Sequence, residues 1–103
     1  MSESEINRRI AVLCGWQEYR SEHRDEMRWR GPDGHNWLVT PDYCGDLNAC
    51  REFEKRMSLK EQNDYAWMIR NLRAGGADDF QIITASPAHR CEAFLRMHKQ
   101  WDV

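Results

Sequence analysis

The chain has 103 residues, the size of a single domain, and is read as one domain over residues 1–103. Hydrophobic residues make up 41%, and the six glycines bring the apolar share to about 47%, an ordinary globular value that speaks against disorder. Fifteen basic residues against seventeen acidic ones give a formal net charge of −2, which excludes a uniformly basic nucleic-acid binder and leaves no strong case for DNA or RNA.

Two finer features stand out. Arginine outnumbers lysine twelve to three, and there are five tryptophans. Both side chains anchor interfaces and ligands. No run of about 18 apolar residues exists, so no membrane span is expected. The polar start MSESEINRR lacks the apolar core of a signal peptide. The expectation is a cytosolic chain with reduced cysteines.

In chain order, Ser2 and Glu5 have capping-box spacing, and Ile6, Ile10, Leu13 and Cys14 recur on one helical face. Gly15 sits where a left-handed stop residue belongs, and Trp16 supplies the apolar residue that closes such a cap. Trp16–Tyr19 then reads as a short strand. Met27–Arg30 and Asn36–Thr40 flank Gly31-Pro32-Asp33-Gly34, a turn signal between aromatic runs, so a hairpin or three-strand meander is predicted.

Asp46 caps a helix with apolar positions Leu47, Cys50, Phe53 and Met57. Ser58 and Glu61 mark the start of another, carrying Tyr65, Met68, Ile69 and Leu72 and stopping at Gly75-Gly76. Phe80–Ala85 reads as a buried strand. Ser86-Pro87 opens a last helix whose stripe is Ala88, Cys91, Leu95 and His98, widened by Phe94, Met97 and Trp101. The order α-β-β-β-α-α-β-α predicts an α+β sandwich with a small mixed, largely antiparallel sheet.

Catalytic constellations are scarce. No C-x-x-C pair, G-x-S-x-G or phosphate-loop motif is present. His89 and Cys91 are two apart on a helix and face different ways, so no metal and no cofactor is expected. Cys14, Cys50 and Cys91 fall on apolar faces. Cys44 is a loop thiol whose neighbours Asp42 and Asp46 oppose the thiolate. Asp46 is explained as a cap, and Asp78-Asp79 as a turn before a strand.

Two places suit an anionic ligand. Ser86-Pro87-Ala88-His89-Arg90 joins a hydroxyl, open helix N–H groups and an arginine within one turn. Arg28-Trp29-Arg30 alternates charge and ring along a strand, with Trp37 or Tyr43 available to stack on a base. The candidate ligand residues are therefore Arg28, Arg30, Trp37, Tyr43, Ser86, His89 and Arg90. No catalytic residue is assigned.

Three blocks resemble a family of small bacteriophage proteins, the phage ABA-sandwich domain. They are Ile6-Asn7-Arg8-Arg9-Ile10-Ala11 running to Gly15-Trp16; Pro41-Asp42-Tyr43 followed by Gly45-Asp46-Leu47-Asn48-Ala49; and Ala88-His89-Arg90-Cys91-Glu92-Ala93-Phe94-Leu95-Arg96. The resemblance implies layered sheet and helices in a phage protein acting in the host bacterial cytoplasm. Similarly organised phage proteins, the Thoeris anti-defence proteins, bind cyclic nucleotide signals of bacterial immunity and look like non-enzymatic homo-oligomers. No ligand residue is carried over from them.

The leading expectation is thus a non-enzymatic, homo-oligomeric protein that sequesters a cyclic nucleotide-type signal. An inhibitor of a host defence protein, anti-CRISPR-like or a host-takeover factor, is the alternative, favoured by the tryptophans and an acidic first half. A small hydrolase is disfavoured by the missing constellation.

Overall fold

A computed structural model describes residues 1–21, 26–72 and 84–101. Helix α1 (Glu3–Leu13) begins at Ser2, whose hydroxyl accepts the Glu5 N–H at 3.2 Å. The Glu5 carboxylate pairs with Arg9 one turn on, at 3.0 Å, so the forward half of the expected capping box forms. Ile6, Ile10 and Ala11 are buried. The helix ends as Gly15 and Trp16 predict. Gly15 has φ +94°, its N–H reaches the Val12 carbonyl, and the Trp16 N–H reaches that of Ala11 at 2.9 Å. Those bonds occupy carbonyls the helix end leaves open.

Strands β1 (Gln17–Arg20), β2 (Met27–Arg30) and β3 (Asn36–Trp37) form an antiparallel sheet in that order. The predicted turn joins β2 to β3, with Gly34 N–H on the Gly31 carbonyl and Gly31 N–H on that of His35. Register decides the faces. Gln17, Tyr19, Arg28, Arg30 and Asn36 share one face; Glu18, Trp29 and Trp37 share the other.

The third strand is shorter than the expected Asn36–Thr40. Leu38 and Val39 leave the ladder because the following loop is held elsewhere: the Asn7 amide donates to Asp42 at 3.1 Å and accepts the Cys44 N–H at 3.0 Å. Tyr43 is thereby fully buried.

Helix α2 (Leu47–Glu54) starts at Asp46, which accepts the Asn48 N–H at 2.9 Å. Ser58 and Glu61 form both halves of a capping box at the start of α3 (Leu59–Asn71). Ser86 caps α4 (Pro87–Met97), with Pro87 in the first turn. The predicted strand Phe80–Ala85 and the stop at Gly75-Gly76 lie outside the described residues, except that Thr84 is in a turn and Ala85 is buried.

Helix α4 is the centre of the assembly and packs against α1, α2 and α3. Its Cys91, Ala93, Phe94 and Leu95 are buried. The expected stripes hold, but their first positions, Leu47 and Ala88, stay exposed. Phe53 is the aromatic hub. It stacks on Phe94 with centroids 4.4 Å apart, meets Tyr65 edge-on at 6.1 Å and tilts against Tyr43 at 6.0 Å. All four cysteines are buried and free, Cys44 included. No helix among the described residues is long and apolar enough to cross a membrane. The architecture is α+β, with four helices and three strands among the described residues.

Candidate functional site

A cleft of about 510 Å³ opens where the end of α1, the β2–β3 turn, the loop after β3 and α2 meet. Trp16 and Trp37 line it, with ring centroids 6.4 Å apart and planes tilted by 55°. Trp16 is aimed by the helix stop at Gly15 and lies against the hairpin turn. A Cβ on Gly31 would stand 3.4 Å from the Trp16 ring, ordinary van der Waals contact, so the indole packs directly against the turn. Trp37 projects from the sheet face it shares with buried Trp29 and remains 51% exposed.

Arg56 is the one cation among the described residues lining this cleft. It follows α2, and its Nη1 donates to the Cys14 carbonyl at 2.6 Å. Helix α1 has no basic residue in its last turn. Arg56 therefore brings a positive charge to the negative end of that helix from 42 residues away in sequence. The anchor is a neutral carbonyl, so it fixes the guanidinium without cancelling its charge.

Two carboxylates also line the cleft. Glu52 pairs with Lys55 at 3.2 Å, and Asp33 with His35 at 2.8 Å. The His35 hydrogen bonds hold the Asp33 carboxyl below its ordinary range. Deeper in, burial pushes the Cys14 thiol and the Tyr43 phenol upward, and this outweighs the opposite pull of Arg56. Both groups stay protonated at neutral pH, so neither is an activated nucleophile.

The sequence-predicted residues divide into three groups. Trp37 and Tyr43 reach this cleft, Trp37 at its surface and Tyr43 buried at its base. Arg28 and Arg30 do not join them, since the register puts both arginines on the opposite sheet face. Arg28 pairs with Glu26, its Nε 3.1 Å from the carboxylate. Arg30 lies over the Tyr19 ring at 5.0 Å and bonds Asn36 at 3.3 Å.

Ser86, His89 and Arg90 form the third group. The Ser86 hydroxyl accepts the His89 N–H at 3.2 Å, the bond expected of a helix cap. Arg90 turns inward, with Nε on the Ala85 carbonyl at 2.9 Å and Nη1 on Glu54 at 2.6 Å. Tyr65 donates to the same Glu54 oxygen at 2.8 Å. Arg90 lines a separate cleft of about 400 Å³ together with Leu47, Arg51, Tyr65 and Ile69. Its charge is answered within the protein.

Sequence reasoning missed Arg56 altogether. No local motif marks it, because its partner is a backbone carbonyl on another helix. Trp16 is expected as a cap contact and as the start of the first strand; β1 starts one residue later, at Gln17, and the structure adds the place of Trp16 in the cleft wall. Among the described residues, no group of three His, Cys, Asp or Glu side chains converges to hold a metal.

The chain matches no known protein-family model, no curated protein and no solved structure.

Proposed function

We propose that the protein is a non-enzymatic binding protein that takes a nucleotide-type ligand in the Trp16–Trp37 cleft. In an infected bacterium it would withhold a cyclic nucleotide immune signal from host effectors, the role the phage-family resemblance implies. The observation that carries the reading is the half-exposed Trp37 indole lining one cleft with Trp16 and the anchored Arg56. A base stacks on an indole face, worth about 1–3 kcal/mol per base. A phosphate meets a guanidinium in a bidentate pair.

The test is a thermal-shift and calorimetric panel of cyclic mono-, di- and trinucleotides and cyclic ADP-ribose isomers, with mass spectrometry of the ligand afterwards. At least one ligand raises the melting temperature and is recovered intact. Absence of any shift or heat across the panel overturns the reading, and a chemically altered ligand overturns its non-enzymatic part.

A second reading rests on Trp37, Leu38 and Val39, which are 51%, 61% and 72% exposed at and just after β3, an outer strand of the sheet among the described residues. Consecutive exposed apolar residues at a sheet edge suit a protein contact. The partner would be a host defence protein or a second copy of this chain. A stoichiometric protein partner recovered from host lysate favours the first, and a multimeric mass by light scattering favours the second.

A further inference from the structure

We infer that the cleft selects a ligand with one phosphate over ligands carrying two or more. This rests on the nucleotide reading and adds a charge count to it. Arg56 is the one lining cation among the described residues, and Glu52 and Asp33 line the same cleft. The Cys14 carbonyl holds Nη1 of Arg56, and this one guanidinium is the positive charge that the described lining residues offer a ligand. One guanidinium matches the two oxygens of one phosphate.

Among the described residues lining the cleft, a second phosphate has no comparable partner. Within the cleft it shares the lining with the Glu52 and Asp33 carboxylates, and like charges repel. Neither carboxylate is converted to a cation site by its partner. Lys55 holds Glu52 from the exposed side of α2, and His35 sits beside Asp33 at the solvent-facing turn. The arginines that the sequence marks for an anion are not in this cleft. Arg28 and Arg30 lie across the sheet, and Arg90 is bound to Glu54. The indoles supply sequence-tolerant stacking for one base, because every base has a π face. The ligand class is therefore a nucleoside monophosphate, linear or 3′,5′-cyclic.

The experiment is calorimetric titration of the full chain, without divalent metal, with adenosine, AMP, 3′,5′-cyclic AMP, ATP and cyclic di-AMP. AMP or cyclic AMP binds at least tenfold more tightly than ATP and cyclic di-AMP. Glu52→Gln, an exposed substitution, narrows that gap at least threefold by raising affinity for the multiply charged ligands. Equal or tighter binding of ATP or cyclic di-AMP to the unmodified chain overturns this inference and leaves the nucleotide reading standing. A gap unchanged in Glu52→Gln overturns the assignment of Glu52 as the selective group. No binding by any of the five ligands overturns this inference, and the nucleotide reading falls with it when the wider panel of cyclic nucleotides and cyclic ADP-ribose isomers also gives no shift or heat.

Discussion

Two arginines, Arg56 and Arg90, each sit against a helix end and an aromatic residue, yet they have opposite fates. Arg90 lies in a strong anion-site context by sequence, at a Ser-Pro helix start, and its charge is consumed by Glu54 inside a hydrogen-bonded group that includes Tyr65. Arg56 has no motif around it. It is anchored by a neutral carbonyl, so its charge remains available to the cleft it lines. An arginine held by a carboxylate is a structural tie, whereas one held by a carbonyl is positioned but not neutralised. The partner, more than the local motif, decides which arginine can meet a ligand.

The largest expected effect separates the two regions by stability. Arg90→Ala leaves the half-buried Glu54 carboxylate with the Tyr65 hydroxyl and without its cation, and costs about 2–3 kcal/mol, below the value for a fully buried pair because both side chains keep some exposure. Urea denaturation measures it, and nucleotide affinity of the folded variant stays unchanged. A loss of affinity with little loss of stability would reverse the roles assigned to the two regions.

Trp37→Ala does the opposite. It weakens nucleotide binding about tenfold or more, the loss of one stacking platform, and changes stability by about 0.5 kcal/mol or less. Arg56→Ala falls between. Removing the cation from the end of α1 costs about 0.5–1 kcal/mol, and affinity for a nucleoside monophosphate drops while affinity for the uncharged nucleoside holds. Equal losses for nucleotide and nucleoside would show that Arg56 shapes the cleft without meeting the phosphate.

The smallest effect is a pH dependence outside both regions, which serves as a control. The Ser58 N–H and hydroxyl hold the Glu61 carboxyl below its ordinary value of 4.5. Its folded-state pKa is lower than its unfolded one, so its contribution is fully present above about 4.5 and fades as pH falls through the lowered value. Glu61→Gln flattens the stability profile in that acid window alone and leaves binding at neutral pH untouched.

Much of the scaffold was legible because its signals are local. Ser2, Asp46, Ser58 and Ser86 all act as helix caps, and Gly15 terminates α1 with positive φ. The hairpin turn was legible for the same reason. Its register was harder to read, and register is what separates Arg28 and Arg30 from Trp37. Once Trp29 is known to oppose Trp37, strand alternation alone puts the arginines on the far face. The early end of β3 depends on Asn7 holding the loop 35 and 37 residues away, which no local pattern encodes.

The opening excess of arginine resolves along the same line. Arg8 ties α1 to β1 through Glu18 at 3.3 Å, and Arg9 reaches the Gln100 carbonyl at 2.7 Å. Arg96 lies over Trp101 at 5.6 Å. These contacts use the planar fork and the stacking face of a guanidinium, which a lysine ammonium does not have.

The central claim is that Trp37 and Arg56 together make a nucleotide-binding cleft. Calorimetry of the unmodified chain and of Trp37→Ala with 3′,5′-cyclic AMP tests it most directly. The account predicts saturable one-to-one binding by the unmodified chain and at least tenfold weaker binding by the variant. Saturable binding of the same affinity by both proteins would contradict it.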